Sequence, residues 1–182
     1  MLTNKNIVVC VCGGIAVYKV VDVVSKFKKQ NANVFVVISE SATKFVTPLT
    51  FQSISANLVT TSLYAGMGNA DINHISLAQN ANLFVIAPAT ANIIGKIANG
   101  IADDIVSTSI SATKAPVLFI PAMNTVMYEN LIIQNNIEKL KIFGYKFLEP
   151  EVGTMAMKSE KAGIGRLPEP ITIVNHVLSM EF

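Results

Sequence analysis

Charge is scarce in this chain of 182 residues: 14% are Asp, Glu, Lys or Arg, against 51% hydrophobic residues. So little polar material leaves apolar surface to be hidden against other subunits, and a homo-oligomer is expected. The net charge of +2 comes from scattered Lys and Arg with no basic run. That argues against nucleic acid and anionic membrane as partners. Long apolar runs are also missing, since polar residues interrupt every stretch before it reaches bilayer length. There are two cysteines, Cys10 and Cys12. Two positions apart on one strand face, they are too close to bridge and lack metal-site companions, so they read as small core residues and no metal site is expected. A reducing, cytoplasmic location fits. Lys5 ahead of an apolar run resembles a leader peptide, but Gly13-Gly14 opens straight into a helix-like segment without a cleavage signal. A buried first strand is the expectation.

Apolar strands alternate with amphipathic helices. Residues 7–12 (IVVCVC), 33–38 (NVFVVI), 83–87 (LFVIA) and 117–120 (VLFI) are short, nearly continuous apolar runs, as in parallel strands covered on both faces. Residues 146–148 suggest a last strand. Helices are expected over about 15–30, ending in Lys26, Lys28 and Lys29, over 39–47, from the APATAN segment through 97, and near 130–143. The pattern predicts an α/β fold, an open parallel sheet with helices on both faces and right-handed crossovers. One domain spanning 1–182 is expected. Residues 150–168, rich in Gly and Pro with weak periodicity, read as a long flap loop.

Open sheets of this kind bind ligands beyond the carboxyl ends of their strands. The unusual residues concentrate there. Gly13-Gly14 joins a strand to a helix start, suited to a tight turn or to the close approach of a phosphate. No G-x-G-x-x-G and no Walker lysine accompany the pair. Ser39 and Ser41 suit helix capping or phosphate binding, as do Thr90 and Asn92 in APATAN. Three donor sites at three strand ends favour a phosphate-bearing cofactor. Residues 121–128 (PAMNTVMY) place Asn124 between Met123 and Met127 immediately after a strand. Asn124 there is either a turn former or an amide aimed at a carboxylate or flavin edge, with thioethers as an apolar wall. His74 lies on a helix for which Asp71 is the expected N-cap. By spacing alone it is an ordinary structural residue, and so is His176.

Taken together, CGGIAVYK, SESATKFVTPLTFQSIS, DINHISLA, APATANIIGKIANGIADD and PAMNTVMY resemble the flavin-dependent cysteine decarboxylases, in register from about residue 7 to 168. The branch acting on phosphopantothenoylcysteine in coenzyme A biosynthesis is nearest, and the lanthipeptide peptidyl-cysteine decarboxylases are more distant. The resemblance implies a flavodoxin-like (Rossmann-type) fold. It implies flavin mononucleotide (FMN) as cofactor, and assembly as a homo-trimer or as four trimers in a dodecamer.

It also implies roles. Gly13, Gly14 and Ile15 pass close to the flavin, while Ser39, Ser41, Thr90, Ala91 and Asn92 hold its phosphate, ribityl chain or ring edge. Phe45 and Ala122 lie near the ring. His74 is the catalytic acid/base and Asn124 binds the substrate carboxylate, with Met127 beside it. Lys158 and Arg166 of the flap are candidates for the substrate phosphate, against a reading as solvated loop charges. A flavin explains how a cysteine carboxylate can leave: hydride removal from the thiol-bearing carbon creates a C=S group β to the carboxylate, which accepts the electrons as carbon dioxide departs.

In the coenzyme A branch a flap cysteine donates a proton when the product is reduced. Met157 stands at or near that position here. Either Lys158, Ser159, Lys161 or water takes over, or the enzyme stops at the enethiol, as the peptide decarboxylases do. A non-enzymatic flavin-binding regulator is a third class, against which His74 and Asn124 argue. PAMN and NHI likewise argue against a prenylating flavin enzyme. Bacterial relatives often fuse this domain to a ligase, which these residues do not contain. Either a free-standing decarboxylase or part of a longer protein is expected.

Overall fold

A computed structural model describes residues 1–64, 73–154 and 162–182. Strand β1 (Asn6–Val11) lies at the centre and pairs in parallel with β2 (Asn33–Ile38) and β4 (Leu83–Ala89). β3 (Val59–Thr60) extends the sheet beyond β2, and β5 (Val117–Pro121) then β6 (Lys146–Phe147) extend it beyond β4. Among the described residues the order is β3-β2-β1-β4-β5-β6, with every pair parallel. This is the expected flavodoxin-like (Rossmann-type) sheet. Its winding reverses between β1 and β4, which opens a crevice beyond their carboxyl ends.

Alternation along β1 divides the core. Ile7, Val9 and Val11 belong to one buried cluster, and Val8 and Cys10 to the other. The first cluster packs under α1 (Val17–Lys29), α3 (Pro48–Ser55) and α9 (Pro170–Ser179). Val17, Val20, Val24 and Phe27 recur at helical spacing, so one face of α1 is fully buried. Removing the Phe27 ring would cost about 3–5 kcal/mol. The second cluster packs under α4 (Asn73–Asn80), α5 (Ala91–Ala98), α6 (Ile105–Ala112) and α8 (Leu131–Ile142). Cys10 and Cys12 are buried free thiols within it, as the sequence implied. Burial, with the charge of Asp104, pushes the Cys12 thiol well above its ordinary value.

Two short helices, α2 (Glu40–Thr43) and α7 (Thr125–Tyr128), follow β2 and β5. The segment read as a flap loop differs from expectation at both ends. Glu151–Gly153 (β7) and Gly163–Arg166 (β8) pair as an antiparallel ladder, while residues 155–161 lie outside the described residues. Among the described residues no helix is long and apolar enough to cross a membrane.

Candidate functional site

Four strand ends and the β7–β8 ladder enclose one cavity of about 910 Å³. At the first end, Gly13 follows β1 and lies against α2. A Cβ on Gly13 would come within 2.6 Å of Ser41 Cβ, so only glycine permits this approach. Ala16 caps α1 without a side-chain hydrogen bond, so no side-chain cap occupies the helix start beside the cavity. At the second end, Ser39 accepts from the Ala42 N–H at 3.3 Å, and its hydroxyl lies 3.2 Å from that of Ser41. At the third, Thr90 caps α5 by accepting from the Ile93 N–H at 3.4 Å. The capping readings of Ser39 and Thr90 therefore hold, and both hydroxyls sit at strand ends around the crevice.

The fourth end carries Asn124. Its Oδ1 accepts from the N–H groups of Val126 at 2.8 Å and Met127 at 3.4 Å, which starts α7. β8 docks on this segment: the Met123 N–H donates to the Gly165 carbonyl at 3.0 Å. Gly165 has φ +137°, and a Cβ there would strike the Met123 carbonyl oxygen. The Arg166 side chain crosses β7, with its Cδ 2.8 Å from where a Gly153 Cβ would be. It reaches Glu169, whose carboxylate also accepts from Lys19 at 2.9 Å. The Lys19 hydrogen bond, with the charges of Lys19 and Arg166, outweighs desolvation and holds the Glu169 carboxyl below its ordinary range.

Of the residues the sequence nominated, Gly13, Gly14, Ile15 and Ser41 line this cavity, as do Thr90, Ala91 and Asn92. Ala122, Asn124, Met127 and Arg166 complete the wall on the far side. Ser39 lines a smaller cavity of about 240 Å³, which shares Gly13, Ser41, Thr90 and Asn92 with the larger one. Lys96 and Asp104 border that smaller space, paired at 2.7 Å. Phe45 lines neither cavity and is 50% exposed just beyond α2. The backbone of His74 lies in the first turn of α4, and its side chain falls outside what is described. Asp71, Met157, Lys158, Ser159 and Lys161 also lie outside the described residues. Sequence reasoning missed Tyr18, Lys19, Thr154 and Gly165 in the wall. For Lys19 a signal existed, since a cation in the first turn of a helix opposes the helix dipole.

Hydroxyls, glycine-opened backbone and apolar side chains thus share one cavity at the strand ends of a parallel α/β sheet, where such folds bind their ligands. A model of the Flavoprotein family matches residues 1–180. The chain belongs to that family, and its cofactor is a flavin. It is 48% identical over 174 residues to the coenzyme A biosynthesis bifunctional protein CoaBC of Bacillus subtilis. That alignment covers 96% of this chain and 42% of CoaBC, so the chain spans less than half the length of this curated relative.

Among solved structures, a PPC decarboxylase mutant complexed with pantothenoylaminoethenethiol superposes with a TM-score of 0.83 at 27% identity, covering 96% of both chains. An EpiD mutant complexed with the substrate peptide DSYTC gives 0.81 at 26% identity, covering 96% of this chain and 99% of that one.

Proposed function

We propose that this chain is an FMN-dependent decarboxylase that converts 4'-phosphopantothenoylcysteine to 4'-phosphopantetheine in coenzyme A biosynthesis. The observation that carries the reading is the convergence of Gly13-Gly14, Thr90–Asn92 and the Asn124 segment on one cavity. The likeness to CoaBC and to the PPC decarboxylase supports it. The cavity fits a flavin mononucleotide on its own chemistry. Gly13 leaves backbone open beside Ser41, hydroxyls of Ser39, Ser41 and Thr90 suit a phosphate, and Ile15, Ala122 and Met127 suit a ring. The protein is read as a single domain with residues 150–168 as its flap.

When bound, the flavin supplies a hydride acceptor, the property that lets a cysteine carboxylate depart as carbon dioxide. The chain's own residues bind and orient the substrate. The carboxamide nitrogen of Asn124 is the donor that a carboxylate requires, and Met127 covers it with an apolar thioether. His74 moves the proton between substrate and solvent. Arg166 and Lys158 meet the substrate phosphate. Phe45 and Ala122 flank the flavin ring. The exposed Ile15, Tyr18 and Met127 in the cavity wall, with the exposed Phe45 beyond α2, support a homo-oligomer, a trimer or four trimers in a dodecamer. A cytoplasmic location accords with the bacterial relative's pathway.

A second reading rests on Met157, at or near the place where the resemblance puts a proton-donating cysteine. Without that donor the product stays at the enethiol, as in peptide cysteine decarboxylation. Mass spectrometry of the product from 4'-phosphopantothenoylcysteine separates the two. Loss of carbon dioxide alone supports the proposal. Further loss of two hydrogens supports the second reading, and no turnover removes this substrate.

A further inference from the structure

Lys19 occupies a costly position. It is the third residue of a 13-residue helix, α1, whose positive dipole end it crowds, and no acidic residue lies in that first turn. Its side chain is only 11% exposed. Among the described residues two of its three N–H groups are engaged, with Glu169 Oε1 at 2.9 Å and the Leu167 carbonyl at 3.4 Å. Arg166 reaches the same carboxylate from β8. Glu151 also belongs to the cluster, its carboxylate accepting from the Glu169 N–H at 3.4 Å. Two cations and two carboxylates therefore meet, but their placement is uneven. Lys19 and Arg166 line the cavity, whereas Glu151 and Glu169 do not. The two carboxylates thus lie behind the wall to which Lys19 and Arg166 belong, beside the start of α1.

We propose that Lys19, paired with Arg166, receives the phosphate monoester of the substrate and selects phosphorylated over unphosphorylated substrate. Glu169 is a positioning residue that holds both cations against the wall. This deepens the function proposed above and rests on it for the identity of the substrate. A phosphate monoester could also come from the cofactor. The substrate is the better match because the function proposed above gives the cofactor phosphate to the uncharged hydroxyls of Ser39, Ser41 and Thr90, at other strand ends.

The test is calorimetric titration of FMN-loaded protein with 4'-phosphopantetheine and with pantetheine, for the native chain, Lys19→Gln and Lys19→Arg. Native protein is expected to prefer the phosphorylated ligand by about tenfold to a hundredfold, the range for a charged hydrogen bond. Lys19→Gln is expected to lose most of that preference while binding pantetheine unchanged, and Lys19→Arg to recover part of it. Equal weakening toward both ligands, or no preference in the native protein, overturns the proposal. A parallel titration of stripped protein with FMN and riboflavin completes it. If Lys19→Gln weakens FMN but not riboflavin, the cofactor is the source of the phosphate and the proposal falls. Turnover is scored separately: ligand preference lost with Lys19 but no decarboxylation by native protein rejects the enzyme reading and leaves the phosphate site standing.

Discussion

The Met123 N–H donates to the Gly165 carbonyl at 3.0 Å, and Gly165 makes that contact in a backbone conformation that only glycine adopts readily, φ +137°. This bond fastens the second flap strand to the residue preceding Asn124. In Gly165→Ala the new Cβ meets the Met123 carbonyl, and the strand has to lift or the Asn124 segment has to move. The expected cost is about 1–3 kcal/mol of stability, read as a lower urea midpoint, with weaker substrate binding. Unchanged stability and unchanged KM would contradict the docking.

Gly13→Ala tests the other side of the cavity. Its Cβ would lie 2.6 Å from Ser41 Cβ and 2.9 Å from the Ser41 carbonyl carbon, so α2 has to shift as a unit. Flavin affinity should fall by about tenfold or more, equivalent to about 1.4 kcal/mol. Fluorescence titration of stripped protein with FMN measures it, and full affinity would mean that this approach is not part of the flavin cradle.

The pair of Lys96 with Asp104 borders the smaller cavity and caps α6 through the Ser107 N–H at 2.8 Å. Burial works against the charged form of each partner. The hydrogen bonds outweigh it, so Asp104 titrates below its ordinary value and Lys96 above. For Asp104 the stabilisation is present above the unfolded value of about 3.9 and is lost as pH falls through the folded value. For Lys96 it is complete below about 10.4 and is lost as pH rises through the folded value. Asparagine caps as well as aspartate, so Asp104→Asn removes only the charge and should cost up to about 1 kcal/mol near neutral pH, with the deficit narrowing in acid. Denaturation midpoints of both proteins from pH 3 to 7 provide the check, and a deficit independent of pH would contradict the assignment.

His74→Asn should keep flavin and lose turnover by about 10²–10⁴-fold, the usual span for a positioned acid or base. Flavin absorbance and product mass, taken on the same preparation, separate lost chemistry from lost cofactor. Turnover within a few-fold of native would remove His74 from the mechanism.

The central strands were legible because β-branched runs such as IVVCVC and NVFVVI have no comfortable alternative to a buried parallel strand. Gly13, Ser41, Thr90 and Asn124 were legible as strand-end residues for the same reason: once the strands are placed, the crevice is placed. Helix α6 escaped notice because IVSTSISA is rich in β-branched residues. What starts it is the reciprocal cap between Asp104 and Ser107, a signal that stood in the sequence unread. The β7–β8 ladder was invisible for another reason. Gly163 and Gly165 look like loop residues until Thr125 and Met123 are seen to need their missing side chains. The sequence alone does not join Lys19 to Glu169, which lies 150 residues away. The roles of His74 and Asn124 came from motif resemblance, since spacing alone assigns neither.

The most direct measurement is carbon dioxide release from 4'-phosphopantothenoylcysteine by protein stripped of flavin and by the same protein reloaded with FMN. The account predicts no release from the stripped protein and restored release, one equivalent per product, on reloading. Release without flavin, or none after FMN has demonstrably bound, would contradict it.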